Sequence, residues 1–359
     1  MFQNKRLSFY KLGAVIAAGA AALTVGVSTS GASSSSPNLA MITAASNQNA
    51  FQEMADGATV AAKNYGDTLQ EAAPASTTDD GTTEVQEFQS AETTSKDGIA
   101  VMTTDPPDFA APMAQAESAG IPVVAVDACP LPTANVPTCV ANDNEQVGVT
   151  IAQKLVASGK IKKGQKGLVV VGDDIPQLQL LGYRITGMEK VLKAYDPKLT
   201  FTAIQNVTAD PTTNQTNWDS LVAKYPKAVL YIAPGDQDAV SFVHIEQQTH
   251  KRYLVIACDV DPTALAGVKD GQIFGLGDPH HFLKGYFAIW LLDQHARGKT
   301  LITGWWNPGD GAITKSNIQV ILHREQSNTT RYAYYKSLIK QEIANPSKYI
   351  QPLSAAGQN

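Results

Sequence analysis

Polar side chains stand where short apolar runs end. Asn47 and Gln48 follow Leu39–Ala44, Asp105 follows Ile99–Met102, and Asp127 closes the run that begins at Pro122. Asp259 comes just past Tyr253–Ala257, Asp278 just past Ile273–Leu276, and Asp236 follows Ala228–Ile232 by way of Pro234-Gly235. Amides donate and accept hydrogen bonds and carboxylates accept them, so together they can satisfy the hydroxyls of a sugar or polyol. Phe51, close behind Gln48, offers an aromatic face for a C–H surface. Each position also has a structural reading: Asn49 can cap a helix with Gln52 three residues on, and Asp105 can cap one beginning near Pro107.

The same residues hold no catalytic constellation. There is no Gly-x-Ser-x-Gly elbow, no Walker loop and no His-Glu-x-x-His, and nothing pairs the scattered carboxylates as acid and base. The expectation is therefore a binding protein and not an enzyme, with no cofactor. His280 and His281 are adjacent but lack further ligands at metal-site spacing, and none of the cysteines has zinc spacing, so no metal is expected. For the histidines, a hinge role, a ligand hydrogen bond or a place at the surface stay open.

The elements that must position these side chains alternate along the chain. Strands are expected at Leu39–Ala44, Ile99–Met102, Pro122–Val126, Leu168–Val171, Thr200–Ile204, Ala228–Ile232, Tyr253–Ala257 and Ile273–Leu276, with a weaker one at Thr68–Ala72. Helical spacing follows over 50–65, 82–95, 108–119, 143–158, 177–195, 213–224, 237–248, 262–269 and 281–297. Strand and helix in alternation predict βα units with parallel sheets. In such sheets a polar loop at a strand's carboxyl end, opening onto a helix N-terminus, is where small polar ligands bind.

Lys5, Arg6 and Lys11 precede an apolar segment from Leu12 to Val27, after which the chain turns small and polar around Ser30-Gly31-Ala32. That order predicts a secretory signal peptide over 1–32, and a flexible linker over 33–37. A membrane anchor is the alternative, but the segment falls short of the roughly 20 apolar residues a spanning helix needs. The chain has 359 residues, 43% of them hydrophobic, with a net charge of −5. Without the leader it is about twice the usual domain size. Its mild acidity argues against nucleic acid as a partner. In an exported chain Cys129 and Cys139 are expected to pair across a short Pro-rich loop, a closure worth about 3 kcal/mol, which leaves Cys258 a buried thiol.

Several segments in order resemble the periplasmic sugar-binding proteins of the ribose- and galactose-binding type. They are the opening segment with Asp56-Gly57, Gly98-Ile-Ala-Val-Met before Thr104-Asp105, Gly120 through Asp127, and Asn142-Asp143-Asn144 before Gly148. Tyr183-Arg-Ile-Thr-Gly187 and Ala257-Cys-Asp259 continue the series, and the resemblance covers roughly residues 38–325. It implies a two-lobe α/β fold, each lobe a mostly parallel sheet flanked by helices, joined by three crossovers near Ala141, Asp278 and Trp305. The implied N-terminal lobe is 38–141 plus 278–304, and the C-terminal lobe is 142–277 plus 305–350. Trp305-Trp306 would then pack at the third crossing or offer a stacking face.

The resemblance also implies ligand contacts from Asn47, Gln48, Phe51, Asp127 and Asp259, and Asp105, Asp236 and Asp278 are further candidates by their position at strand ends. The chain departs from the ribose-binding pattern in places. Ala128 and Gly182 stand where such relatives carry arginines, with Arg184 near enough to substitute, and Pro211 stands where a stacking aromatic is common. Fewer arginines and several carboxylates suit a neutral or cationic ligand better than a sugar acid. The function implied is that of a monomeric periplasmic receptor delivering a sugar or polyol to the permease of an ABC importer. A sensory receptor for chemotaxis or signalling is the alternative, since it shares fold and pocket. A DNA-binding regulator of the same fold needs a helix-turn-helix where the leader stands.

Overall fold

In the computed structural model, which describes residues 36–75 and 80–356, the apolar runs become strands whose side chains are buried on both faces, as parallel sheets require. The expected signal peptide and residues 33–35 of the expected linker lie outside the described residues.

The first lobe opens with β1 (Asn38–Ile42), α1 (Asn49–Tyr65), β2 (Thr68–Ala72) and α2 (Gly81–Thr94). It continues with β3 (Gly98–Val101), α3 (Pro106–Ser118), β4 (Val123–Val126) and β5 (Thr138–Val140). The second lobe begins with α4 (Asn144–Ala157), β6 (Gly167–Asp173), α5 (Gln179–Tyr195), β7 (Leu199–Phe201), β8 (Gln205–Asn206) and α6 (Pro211–Lys224). Then come β9 (Leu230–Ala233), α7 (Asp236–Thr249), β10 (Val255–Cys258), α8 (Pro262–Asp270) and β11 (Gly275–Asp278). The chain closes with α9 (His281–Ala296), β12 (Gly304–Trp306), β13 (Gly311–Thr314), α10 (Ile318–Arg324), α11 (Asn328–Ala344) and β14 (Ile350–Gln351).

The first sheet runs β14-β12-β5-β4-β3-β1-β2 and the second β13-β11-β10-β9-β6-β7, with β8 paired to β6. Among the described residues only the pairs β12–β14 and β11–β13 are antiparallel. The chain passes between sheets at 141–143, 279–280 and 307–310. The third passage thus lies beyond Trp305 and Trp306, which pair in the first sheet with Cys139 and Val140. Residues 328–350 were expected in the second lobe, and this is corrected. Tyr335 and Ile339 of α11 join the core of the first lobe, and β14 pairs with β12. The unforeseen strands β5, β12, β13 and β14 are too short for a periodic signal, and of the expected strand Thr200–Ile204 only Thr200 and Phe201 are strand, in β7, with β8 starting just beyond it.

Both lobes fasten their central helix pair with reciprocal glycines. A Cβ on Gly57 would lie 1.9 Å from the Phe282 carbonyl oxygen, and one on Gly285 1.8 Å from that of Met54. In the second lobe a Cβ on Gly148 would stand 2.0 Å from the Arg184 carbonyl oxygen, and one on Gly187 2.0 Å from that of Glu145. Backbone therefore packs on backbone between α1 and α9, and between α4 and α5. That close approach places His281, Lys284 and Arg184 near the strand ends.

Cys129 and Cys139 are joined, with Cα atoms 5.4 Å apart, clipping the loop that leaves Asp127. Cys258 is a buried free thiol, pushed up to about 12 by burial.

Candidate functional site

The two strongest strand ends are built alike. Asp127, after β4, and Asp259, after β10, both take left-handed backbone conformations, with φ of 65° and 68°. Each still donates its N–H to the neighbouring strand, Asp127 to Val140 and Asp259 to Gly277, both at 2.9 Å. Non-glycine residues held this way cost on the order of 1 kcal/mol or more each, and the turn aims each carboxylate off its sheet into the space between the lobes.

There α9 meets them. Lys284 donates to Asp127 Oδ1, and its Nζ lies 3.1 Å from His281 Nδ1. His281 Nε2 is 2.8 Å from Asp259 Oδ1. Arg184 donates to Asp259 Oδ2 at 2.9 Å, to the Pro234 carbonyl at 3.0 Å and to Asn144 Oδ1 at 3.1 Å. A continuous chain of charge-assisted bonds thus runs from the first lobe's carboxylate to the second's. Burial pushes the Asp127 carboxyl up, but Lys284, His281 and Arg184 outweigh it and hold the group below its usual range. Asp259 is likewise lowered, against burial, by Arg184 and His281. Burial, with Lys284 beside it, keeps His281 below its usual value. With its charged form disfavoured, the imidazole can accept from Lys284 at Nδ1 and donate to Asp259 at Nε2.

Gln48, Phe51, Asp127, Arg184, Asp236 and Asp259 all line one inner cavity, together with His281 and Asp174. Its volume is about 30 Å³, room for a water molecule and not for a sugar ring. An outer cavity of about 240 Å³ shares Gln48, Phe51, Asp174 and Ile175 as walls and adds Thr104, Asn206 and Asp210. Ile175, Leu178, Leu180 and Leu181, from the segment after β6 and the start of α5, are buried among first-lobe residues such as Phe51 and Ala128. The two lobes touch along this segment.

Three expected site residues do not come to this cavity. Asn47 is exposed beside it. Asp105 stands before α3 with its Cβ facing Gly81, and its neighbour Thr104 lines the outer cavity instead. Asp278, at the second passage, is buried against Arg324 NH1 at 2.6 Å, and Arg324 also donates to Tyr335 at 2.8 Å. Trp305 and Trp306 pack: their indoles donate to the Ala141 carbonyl and to Glu342, each at 2.7 Å. Sequence reasoning missed Lys284 and Asp174. Lys284 was visible as the lone cation in the apolar stretch Phe282–Leu292, and Asp173-Asp174 as a strand-end pair after Leu168–Gly172.

Buried carboxyls pull the pH dependence of stability two ways. Burial raises Asp173 to about 7, Asp238 to about 6 and Glu342 to about 7. Their contribution is full below the unfolded values of 3.8 and 4.5 and is lost as pH rises through 6 to 7. Asp127, Asp259 and Asp278 are lowered, so theirs is present above 3.8 and lost as pH falls below it. Urea denaturation should therefore show stability falling from about pH 5 to about pH 7. A midpoint that rises steadily from pH 5 to 8 contradicts these assignments.

Residues 39–300 match the family model for the periplasmic binding protein domain. The chain belongs to that family. Members of the periplasmic binding protein family are binding proteins and not enzymes. The ribose import binding protein of Bacillus subtilis (strain 168) is 27% identical over 203 residues, 56% of this chain; the match spans 64% of that protein's length. A solute-binding protein of Burkholderia graminis solved with D-arabinose has a TM-score of 0.71 at 22% identity, covering 79% of this chain and 98% of that one. One from Agrobacterium radiobacter, also with D-arabinose, has a TM-score of 0.71 at 23% identity, covering 79% and 96%. These two likenesses bear on fold alone. No helix among the described residues is long and apolar enough to cross a membrane.

Proposed function

We propose that this protein is a periplasmic receptor that captures a sugar or polyol between its lobes and hands it, as a monomer, to an ABC importer. The observation that carries the reading is the meeting of Asp127 and Asp259, strand-end carboxylates from opposite lobes, in one cavity with Gln48, Phe51 and Arg184. A ligand reaching both carboxylates touches both lobes only when they close, so binding shifts the population toward the closed form. With the lobes touching, Lys284, His281 and Arg184 occupy those carboxylates, and the inner cavity is too small for a ring. Opening precedes entry, and the ligand's hydroxyls displace part of the internal network. The polar-ligand class draws support from the ribose-import relative. Location outside the cytoplasm rests on the leader sequence.

Calorimetry against D-ribose, D-arabinose, D-tagatose, common hexoses, polyols and their amino derivatives tests the reading, with small-angle scattering of the same samples. Saturable binding by at least one compound and a smaller radius of gyration with ligand are expected, and Asp259→Ala should abolish the heat. A folded protein that binds none of these compounds removes the proposal.

A further inference from the structure

The cleft is lined by more carboxylates than its cations can serve. Asp127 has Lys284, and Asp259 has Arg184 and His281. Arg184 spends its remaining bonds on Pro234 and Asn144. Asp174 has no such partner. It is 6% exposed, lines both cavities, and its Oδ1 accepts no hydrogen bond. Its carboxylate lies against bare backbone, for a Cβ on Gly235 would come within 2.0 Å of that oxygen. Asp236, at the start of α7 on the same wall, also has an unpartnered Oδ1, and backbone bonds from Asn49 and Ala50 reach its carboxylate.

Resting on the reading of this cleft as a sugar or polyol site, we infer that the ligand carries a protonated amine and that Asp174, with Asp236 beside it, receives the ammonium group. An ammonium offers several donors, no acceptor and a positive charge, so it compensates these carboxyls as they ionise, which a neutral hydroxyl does not do. An amine supplied by the ligand is also favoured over a metal ion. Among the described residues no group of three or more Asp, Glu, His or Cys side chains is arranged to hold one.

The surroundings of Asp174 give the inference a signature of its own. Burial raises its carboxyl well above the usual value, and Asp238 and Asp236 of α7, Asp173 of β6 and Asp259 after β10 raise it further. Arg184 lines the same inner cavity, and it is engaged with Asp259. The carboxyl therefore favours its protonated form more than an ordinary aspartate does. An arriving ammonium lowers the carboxyl again and expels the proton, so affinity for an amine rises with pH. A neutral sugar expels none.

The test pairs D-glucosamine, D-galactosamine and glucamine with D-glucose, D-galactose and sorbitol. Calorimetry is run at pH 5 and pH 7, in buffers of low and high ionisation enthalpy. At least one amine is expected to bind about tenfold tighter than its neutral parent, with proton release and with higher affinity at pH 7. Asp174→Asn, nearly isosteric, should bring the two members of that pair within about twofold and abolish the proton release. If that variant fails to fold, the buffer dependence of the unmodified protein decides. Neutral parents that bind as tightly as their amines, or amine binding without proton release, overturn the inference while leaving the sugar-binding reading intact. No binding by any pair removes both.

Discussion

Lys284→Met is expected to cost about 3–5 kcal/mol of folding stability, because it leaves Asp127 ionised in the interior without its ammonium partner. Lys284 and Asp127 are 0% and 2% exposed, so solvent cannot take the lost partner's place. Methionine preserves most of the lysine's volume, so the loss reports charge and not a cavity. The double variant Asp127→Asn/Lys284→Met removes both charges and should recover most of the stability, since a buried pair is often replaceable by uncharged groups at little net cost. Urea denaturation at neutral pH measures both. A single variant within about 0.5 kcal/mol of the unmodified protein would mean that Asp127 is not held by this pair.

Gly285→Ala is expected to lower stability by about 3 kcal/mol or more, and Gly182→Ala to leave it unchanged or raise it by up to about 1 kcal/mol. Both glycines sit within helices, where alanine is intrinsically preferred. They differ in what a methyl group would meet. At position 285 it would stand 1.8 Å from the Met54 carbonyl oxygen, a backbone atom that moves only if α1 and α9 separate; at 182 it meets nothing within 4 Å. Separation would also carry His281 and Lys284 away from the strand-end carboxylates, so Gly285→Ala should weaken ligand binding as well. Equal effects at the two positions, by thermal or urea unfolding, would contradict the close helix contact.

Apolar runs with helical spacing between them were enough to locate most strands, because a strand buried on both faces must be apolar throughout. The four short strands β5, β12, β13 and β14 carried no such signal. Trp305 and Trp306 were an unusual pair in the sequence, but nothing local said which sheet would take them. Pairing with Cys139 and Val140, and stacking of Trp306 on Phe287 with ring centroids 4.6 Å apart, decide that they belong to the first lobe. The return of α11 is of the same kind: its apolar residues Tyr335 and Ile339 need a core, and a linear pattern does not say whose.

The site divides in the same way. Strand-end position alone picked out Asp127, Asp236 and Asp259, because a polar residue closing a buried strand must emerge where the sheet ends, and the fold gathers such ends together. It picked out Asp105 and Asp278 by the same rule, and those two face other neighbours. The sequence by itself determined the α/β class, the cysteine pairing and which residues stand at strand ends, for these follow from periodicity and short-range spacing. Only the tertiary structure decided that Lys284 and His281 occupy the carboxylates of opposite lobes and that Asp174 is left without a partner. Charge compensation in the interior depends on which groups lie within a few ångströms, and residues 157 positions apart in the chain meet there only because glycine lets α9 pack against α1.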